Sequence, residues 1–349
     1  MTREKRHRRL LVWLVITVIA ACVVAATALG SPARTSRTTA AKKTIRIGLV
    51  LPALSNPFIA PIRDGAIAEA KKLGNVQVLT TGTNVPAEQL NALNTYLAAN
   101  VDAIMFDPLD DSAISPAVVA ANKKGIPVIA IVGGSQKGKL STFITPKWFN
   151  AGSAAAKQVA GGWCKSLKPC KVAIVGGGNA PGPGLDSGKG MIAGLKGAAN
   201  VQLVQNVYTD YSAEQSLKAA QQVLTGHPDV NFVMAWWSVG TISTESAIRT
   251  ANKTGKIGTA SLTGACPVLK DMLNGLVYND VMMFPELMGS AGVTSAVKLI
   301  NGGKVPAVQA SPFYPITKAK AEAILAGKLK PPAGVPVLAH LQAAKAGCK

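Results

Sequence analysis

The chain has 349 residues, enough for two domains of ordinary size, and 48% of them are hydrophobic, with 34 Gly and 21 Pro. That composition excludes a disordered or collagen-like chain and fits a globular α/β protein. The formal charge of +20 is mostly scattered Lys, apart from Arg3, Lys5, Arg6, Arg8 and Arg9 at the start, so it describes a solvated surface better than a tract for nucleic acid.

In chain order, the basic opening MTREKRHRR runs into LLVWLVITVIAACVVAATAL and then small residues. This is the three-part pattern of an export signal, so residues 1–30 are read as a signal peptide or N-terminal anchor. Three outcomes stay open. Cleavage fits Ala26-Thr27-Ala28, retention fits an apolar run of near-spanning length, and Ile19-Ala20-Ala21-Cys22 resembles a lipobox that would lipidate Cys22. Against lipidation, apolar residues continue past Cys22. Each outcome puts the bulk of the protein outside the cytoplasm, in the periplasm or at the cell surface. Nucleic acid is thereby demoted as a partner, and the membrane is reached only through the anchor or lipid. Residues 31–43, SPARTSRTTAAKK, form a polar linker.

Short apolar runs then alternate with helical patterns. Strands are expected at 44–51, 76–81, 102–106 and 126–132, with helices in NPFIAPIRDGAIAEAKKLG, PAEQLNALNTYLAAN and SAISPAVVAANKKG. The pattern restarts after 133–150, with strands at 171–177, 201–207, 231–236, 256–262 and 277–284, followed by the helix of PELMGSAGVTSAVKLING. After 303 the chain reads as less regular, with a short helix in KAKAEAILAGKLKPP. The fold class is α/β: two doubly wound halves, each a parallel sheet flanked by helices. In such sheets ligands bind beyond the carboxyl ends of the strands, so a cleft between the halves is the expected site.

With Cys22 removed or lipidated, four cysteines remain, an even number in an oxidising compartment. Cys164 and Cys170 bracket KSLKP and can close a short loop, and Cys266 and Cys348 then pair by elimination. No metal site is expected, because the spacings are wrong for zinc and the only histidines are His7, His227 and His340. No cofactor is expected either. The loop VGGGNAPGPG at 175–184 invites comparison with a phosphate cradle, but it lacks Gly-Lys-Ser/Thr and a clean G-x-G-x-x-G. No nucleophile–base arrangement stands out, so an enzyme is not expected.

Three stretches resemble a known family, the type I periplasmic binding proteins of the ribose-binding type. They are LVLPALSNPFIAPIRDGAIAEAKKLG, MFDPLDDSAISPAVVAANKKGIPVIAI and DYSAEQSLKAAQQVLTGHPDVNFVMAWW, and the likeness covers roughly 44–305. The resemblance implies solute capture for an ABC importer by a monomer whose two lobes close about a three-strand hinge. Crossovers near 146–149, 283–286 and 308–314 divide it into a first lobe of 44–146 plus 285–310 and a second of 147–284 plus 311–349. The same fold also serves receptors that present a ligand to a sensor or chemotaxis protein, and sequence does not separate the two roles. A transcriptional regulator of this fold would need a DNA-binding domain where this chain has its export segment.

The family's ligand positions carry over one at a time. Asn56 and Phe58 match the polar residue and ring of the first lobe, Ile59 replaces a neighbouring ring, and Asp107 stands where the family has Asn. Tyr211 matches an aromatic of the second lobe. The others depart: Val132 and Gly133 replace Asp-Arg, Ser187 an Arg, Trp237 and the following Ser an Asn-Asp, Thr263 an Asp, and Met283 a Gln. These changes remove hydrogen-bonding capacity that a sugar would use and add apolar surface, about 1.5–3 kcal/mol per fully buried large side chain. Trp237 is therefore expected to be a platform for a flat or largely apolar ligand, anchored by Asn56, Asp107 and Tyr211. Strand alternation is expected to turn Trp236 away, against a helix. Asp110 and Asp111 read as helix N-cap residues, and Trp148 and Phe149 as hinge packing.

Overall fold

The alternation of apolar runs and amphipathic stretches produces two six-stranded sheets, seen in a computed structural model that describes residues 43–348. The expected export segment, Cys22 and nearly all of the expected linker lie outside the described residues. The first half runs β1 (Ile45–Leu51), α1 (Ile59–Leu73), β2 (Val76–Gly82), α2 (Pro86–Ala98), β3 (Ala103–Phe106), α3 (Ser115–Lys123), β4 (Val128–Ile131) and β5 (Thr142–Pro146). The second runs α4 (Trp148–Gly161), β6 (Cys170–Gly176), α5 (Pro183–Lys196), β7 (Val201–Tyr208), α6 (Ala213–Gly226), β8 (Phe232–Ala235), α7 (Ser238–Thr250), β9 (Gly258–Ser261), α8 (Cys266–Leu273) and β10 (Asn279–Met283). The chain closes with α9 (Pro285–Ile300), β11 (Val308–Ser311), β12 (Phe313–Thr317), α10 (Lys318–Leu325) and α11 (Val337–Lys345).

The sheets are ordered β11-β5-β4-β3-β1-β2 and β12-β10-β9-β8-β6-β7. Without the last-joined strand, each reads in order of appearance as the doubly wound 2-1-3-4-5 arrangement. All pairings are parallel except β10 with β12. Inner strands such as β3, β4 and β8 are buried along their whole length, which is why they read as unbroken apolar runs. Pro86, Pro183 and Pro285 open α2, α5 and α9, and Gly74 ends α1 in a left-handed cap with φ 78°.

The chain crosses between the sheets three times, at Pro146–Trp148, Met283–Pro285 and Ser311–Phe313. The two lobes are built alike. In the first, α9 lies on α1, and a Cβ at Gly289 would run into the backbone of Ile62. In the second, α4 lies on α5, and a Cβ at Gly152 would run into the backbone of Ser187. Two disulfides staple the second lobe, Cys164–Cys170 and Cys266–Cys348, the latter tying the chain end after α11 to the start of α8.

The expected doubly wound lobes and three-strand hinge are present. Three strands went unread: β5, β11 and β12. They are four or five residues long, and β11 keeps three of its residues at least partly exposed, so none shows an apolar run. Strand β8 ends at Ala235, one residue before the expected end.

Candidate functional site between the lobes

In each sheet the winding direction reverses between the first and third strands, and a crevice opens where the loops leaving them diverge. In the first lobe these are the loops after β1 and β3, which hold Asn56, Phe58 and Asp107. In the second they are the loops after β6 and β8, which hold Gly177, Gly178, Trp236 and Trp237. Asp107 and the tryptophan pair thus occupy the same place in the two lobes. The largest apolar cluster runs unbroken from Phe58, Ile59 and Val132 to Trp148, Trp236, Trp237 and Met283.

The tryptophans depart from the alternation expected of a strand. Both follow the end of β8, where the pleat no longer applies, and their rings lie 5.7 Å apart. Tyr211 meets both, with centroids 5.9 Å from Trp236 and 5.7 Å from Trp237, each edge to face. Trp148 joins from the other side, 5.5 Å from Trp236. Trp236 and Trp237 are each 7% exposed while Tyr211 is 43% exposed, so the tyrosine is the open member of the cluster. Trp237 lies over the first turn of α7, where a Cβ at Gly240 would stand 2.7 Å from its ring. The Nε1 of Trp236 is buried with no partner among the described residues.

The glycine loop 175–184 has a steric reason that its sequence did not disclose. A Cβ at Gly177 or Gly184 would collide with Tyr211, and one at Gly178 would stand 3.1 Å from Cε2 of the same ring. The glycines make room for a side chain of this protein, which is a different task from cradling a phosphate. Tyr211 also has φ 68°, a left-handed conformation uncommon for a bulky residue. Its carbonyl accepts from Trp237 Nε1 at 3.3 Å.

In the first lobe Asp107 is 4% exposed. Burial holds its carboxyl well above the usual carboxylate range, the Gly133 amide draws it down, and the charge of Asp111 pushes it up. Asp111 is raised by burial too, offset by the Gly134 amide, which donates to its Oδ1 at 3.2 Å. Asp110 caps the following turn by accepting from the amides of Ser112 and Ala113. Burial raises the Tyr211 hydroxyl, the Gly178 amide lowers it, and the charges of Asp107 and Asp111 raise it further.

Val132 has φ 67°, an outlier for a β-branched residue. Its carbonyl accepts from Thr145 Oγ1 at 3.1 Å, which in turn accepts from Trp148 Nε1 at 3.0 Å. This relay ties the strained end of β4 to the aromatic cluster through the hinge.

The remaining candidates are placed as follows. Asn56 Oδ1 accepts from the Phe58 amide at 2.9 Å at the entry to α1. Phe58 and Ile59 are buried beside it. Ser187 is wholly buried in α5 with its Oγ unpartnered among the described residues. Met283 is wholly buried at the end of β10, and its amide donates to the Thr263 carbonyl at 3.3 Å. Thr263 is buried, and its amide donates to Asp280 Oδ1 at 3.0 Å. Asp280 was missed in the sequence. It is wholly buried, also accepts from the Gly264 amide at 2.7 Å, and burial pushes it up to about 6. Its signal was a lone acid inside VYNDVMMF. Trp148, Trp236 and Asp111 are further residues that the structure brings to the cluster.

Two parallel-sheet lobes joined by three crossovers are the architecture of a bilobal solute-binding protein. The chain belongs to the periplasmic binding protein family: the family model described as "Periplasmic binding protein domain" matches residues 47–304. It is similar to the ribose import binding protein of Bacillus subtilis, 29% identical over 274 residues covering 78% of this chain and 87% of the relative. It is also similar to the D-allose-binding periplasmic protein of Escherichia coli, 25% identical, covering 76% and 88% of the two chains. A Mycobacterium smegmatis structure in complex with β-D-fucofuranose superposes with TM-score 0.76 at 19% identity, covering 86% of this chain and 98% of that one. The chain is a type I, sugar-type periplasmic binding protein in fold.

Proposed function

We propose that this protein is the exported solute-binding component of an ABC importer, that it catalyses no reaction, and that its solute sits between Asp107 of one lobe and Tyr211 and Trp237 of the other. The observation that supports the reading is that the switch-point loops carry Asp107 in one lobe and the Trp236–Trp237 pair, packed by Tyr211, in the other. Relatives named for ribose and D-allose support a sugar-like solute. The rings favour one with an apolar face, since a pyranose or furanose C–H face packs on indole as other apolar surface does. Asn56, Phe58, Ile59, Val132, Gly133, Ser187, Thr263 and Met283 support the walls of this site. Solute contacts from both lobes favour the closed state only by their differential affinity for it. Closure then presents both lobe surfaces to the permease.

Small-angle X-ray scattering tests this reading. A saturating solute found by thermal-shift screening should contract the particle. A profile identical with and without that solute would overturn hinge closure.

A further inference from the structure

We infer that the interlobe site takes a cation: an amine-bearing sugar or polyol whose ammonium faces Asp107 and Asp111 and whose ring lies on the Trp236–Trp237–Tyr211 cluster. The inference rests on the reading of this crevice as the solute site and specifies the charge of the solute.

The chain carries 37 basic residues against 17 acidic ones. Yet among the described residues no Lys or Arg forms an ion pair with Asp107 or Asp111. The neighbours that favour their ionised forms are backbone amides, Gly133 for Asp107 and Gly134 for Asp111. A carboxylate as buried as Asp107 is costly to keep ionised without a positive partner. A solute ammonium supplies that partner in charge-assisted hydrogen bonds, roughly twice as strong as neutral ones.

The second lobe contributes an independent observation. Trp236, Trp237 and Tyr211 gather three π systems at one point, and aromatic faces attract cations, most strongly when water is excluded. Gly133 stands beside Asp111, and the preceding Val132 is tied through Thr145 Oγ1 to Trp148, whose ring lies 5.5 Å from Trp236, so carboxylates and rings belong to one neighbourhood. Trp236 Nε1, in a residue only 7% exposed, is a buried donor without an acceptor. A purely apolar cation leaves that donor unmatched. A hydroxyl oxygen beside the amine satisfies it. The same site disfavours carboxylates and phosphates, which would face two acidic side chains with no Lys or Arg ion-paired to them.

Isothermal titration calorimetry of the protein at pH 7 tests the inference. The probes are D-glucosamine, D-galactosamine and D-mannosamine, each against its parent hexose and its N-acetyl derivative. At least one amine should bind about tenfold or more tighter than its parent, and N-acetylation should abolish the advantage. Asp111→Asn keeps an oxygen for Gly134 and should remove most of the amine preference, read as the ratio of amine to parent affinity in the variant against that ratio in the wild type. Parents that bind as tightly as their amines, or amines that do not bind, overturn the inference. If a neutral sugar then binds and contracts the particle, the solute-binding reading stands alone. If no amine, sugar or aromatic metabolite binds, both readings fall.

Discussion

Trp237 donates from Nε1 to the main-chain carbonyl of Tyr211 at 3.3 Å, and the two rings meet edge to face 5.7 Å apart. One residue thus fixes both the backbone and the ring of the other. Trp237→Ala should remove solute affinity and destabilise the protein by about 3–5 kcal/mol, the range for truncating a buried large aromatic. Trp237→Phe should restore much of the stability but not the hydrogen bond. Urea unfolding with parallel titration of solute separates the two effects.

Gly177 and Tyr211 are sterically coupled, because a Cβ at the first would strike the ring of the second. Gly177→Ala alone should cost about 1–3 kcal/mol, as overpacking does. In a Tyr211→Ala background the same substitution should cost less, with the contact to Trp236 Nε1 at 2.8 Å remaining. A double-mutant cycle measures the difference, and equal costs in the two backgrounds would mean that the ring does not need the glycine.

Asp280 should give the protein an unusual pH dependence. Its carboxyl is pushed up to about 6 by burial, against an ordinary value of 3.8. The folded state therefore holds this proton more tightly than the unfolded chain does. Its contribution to stability is most favourable below about pH 4, declines as pH rises through 4 to 6, and is flat above. The span is about 3 kcal/mol, from roughly two pKa units at 1.36 kcal/mol each. Stability of the wild type minus that of Asp280→Asn, measured from pH 4 to 8, should fall by that order. A flat difference would place Asp280 outside the titration. Asp280→Asn should also be destabilising at every pH, since two amides lean on a carboxylate and an amide side chain offers one oxygen.

Much of the fold was legible because the inner strands are buried on both faces and the helices carry their own punctuation. Gly74 and the prolines at 86, 183 and 285 mark ends and starts that the backbone requires. The hinge strands β11 and β12 were not legible. They are short and partly exposed, and tertiary pairing rather than pattern makes them strands. At the proposed site, Asp107, Tyr211 and Trp237 were singled out from the family likeness. Trp236 is buried against Trp148 at the start of α4, a helix, as expected, but it also lies beside Trp237, because period-two alternation does not apply past the end of the strand. The purpose of Gly177, Gly178 and Gly184 was hidden, because the ring they accommodate comes from Tyr211, more than twenty residues further along the chain.

The disulfide between Cys266 and Cys348 closes a separation of 82 residues. In the chain-entropy account a loop of that size is worth about 4 kcal/mol. Cys266→Ser with Cys348→Ser should lower stability by that order and loosen α11 from α8, seen as faster amide exchange confined to those helices. Exchange unchanged in α11 would show that its packing, and not the bond, holds it.

The most direct test of the solute-site account is calorimetric titration of the wild type and Trp237→Ala with the best solute from a screen of sugars, amino sugars and aromatic metabolites. The account predicts saturable one-to-one binding by the wild type and at least a hundredfold loss in the variant, with both proteins folded by circular dichroism. Undiminished affinity in Trp237→Ala would contradict it and move the site away from the aromatic cluster.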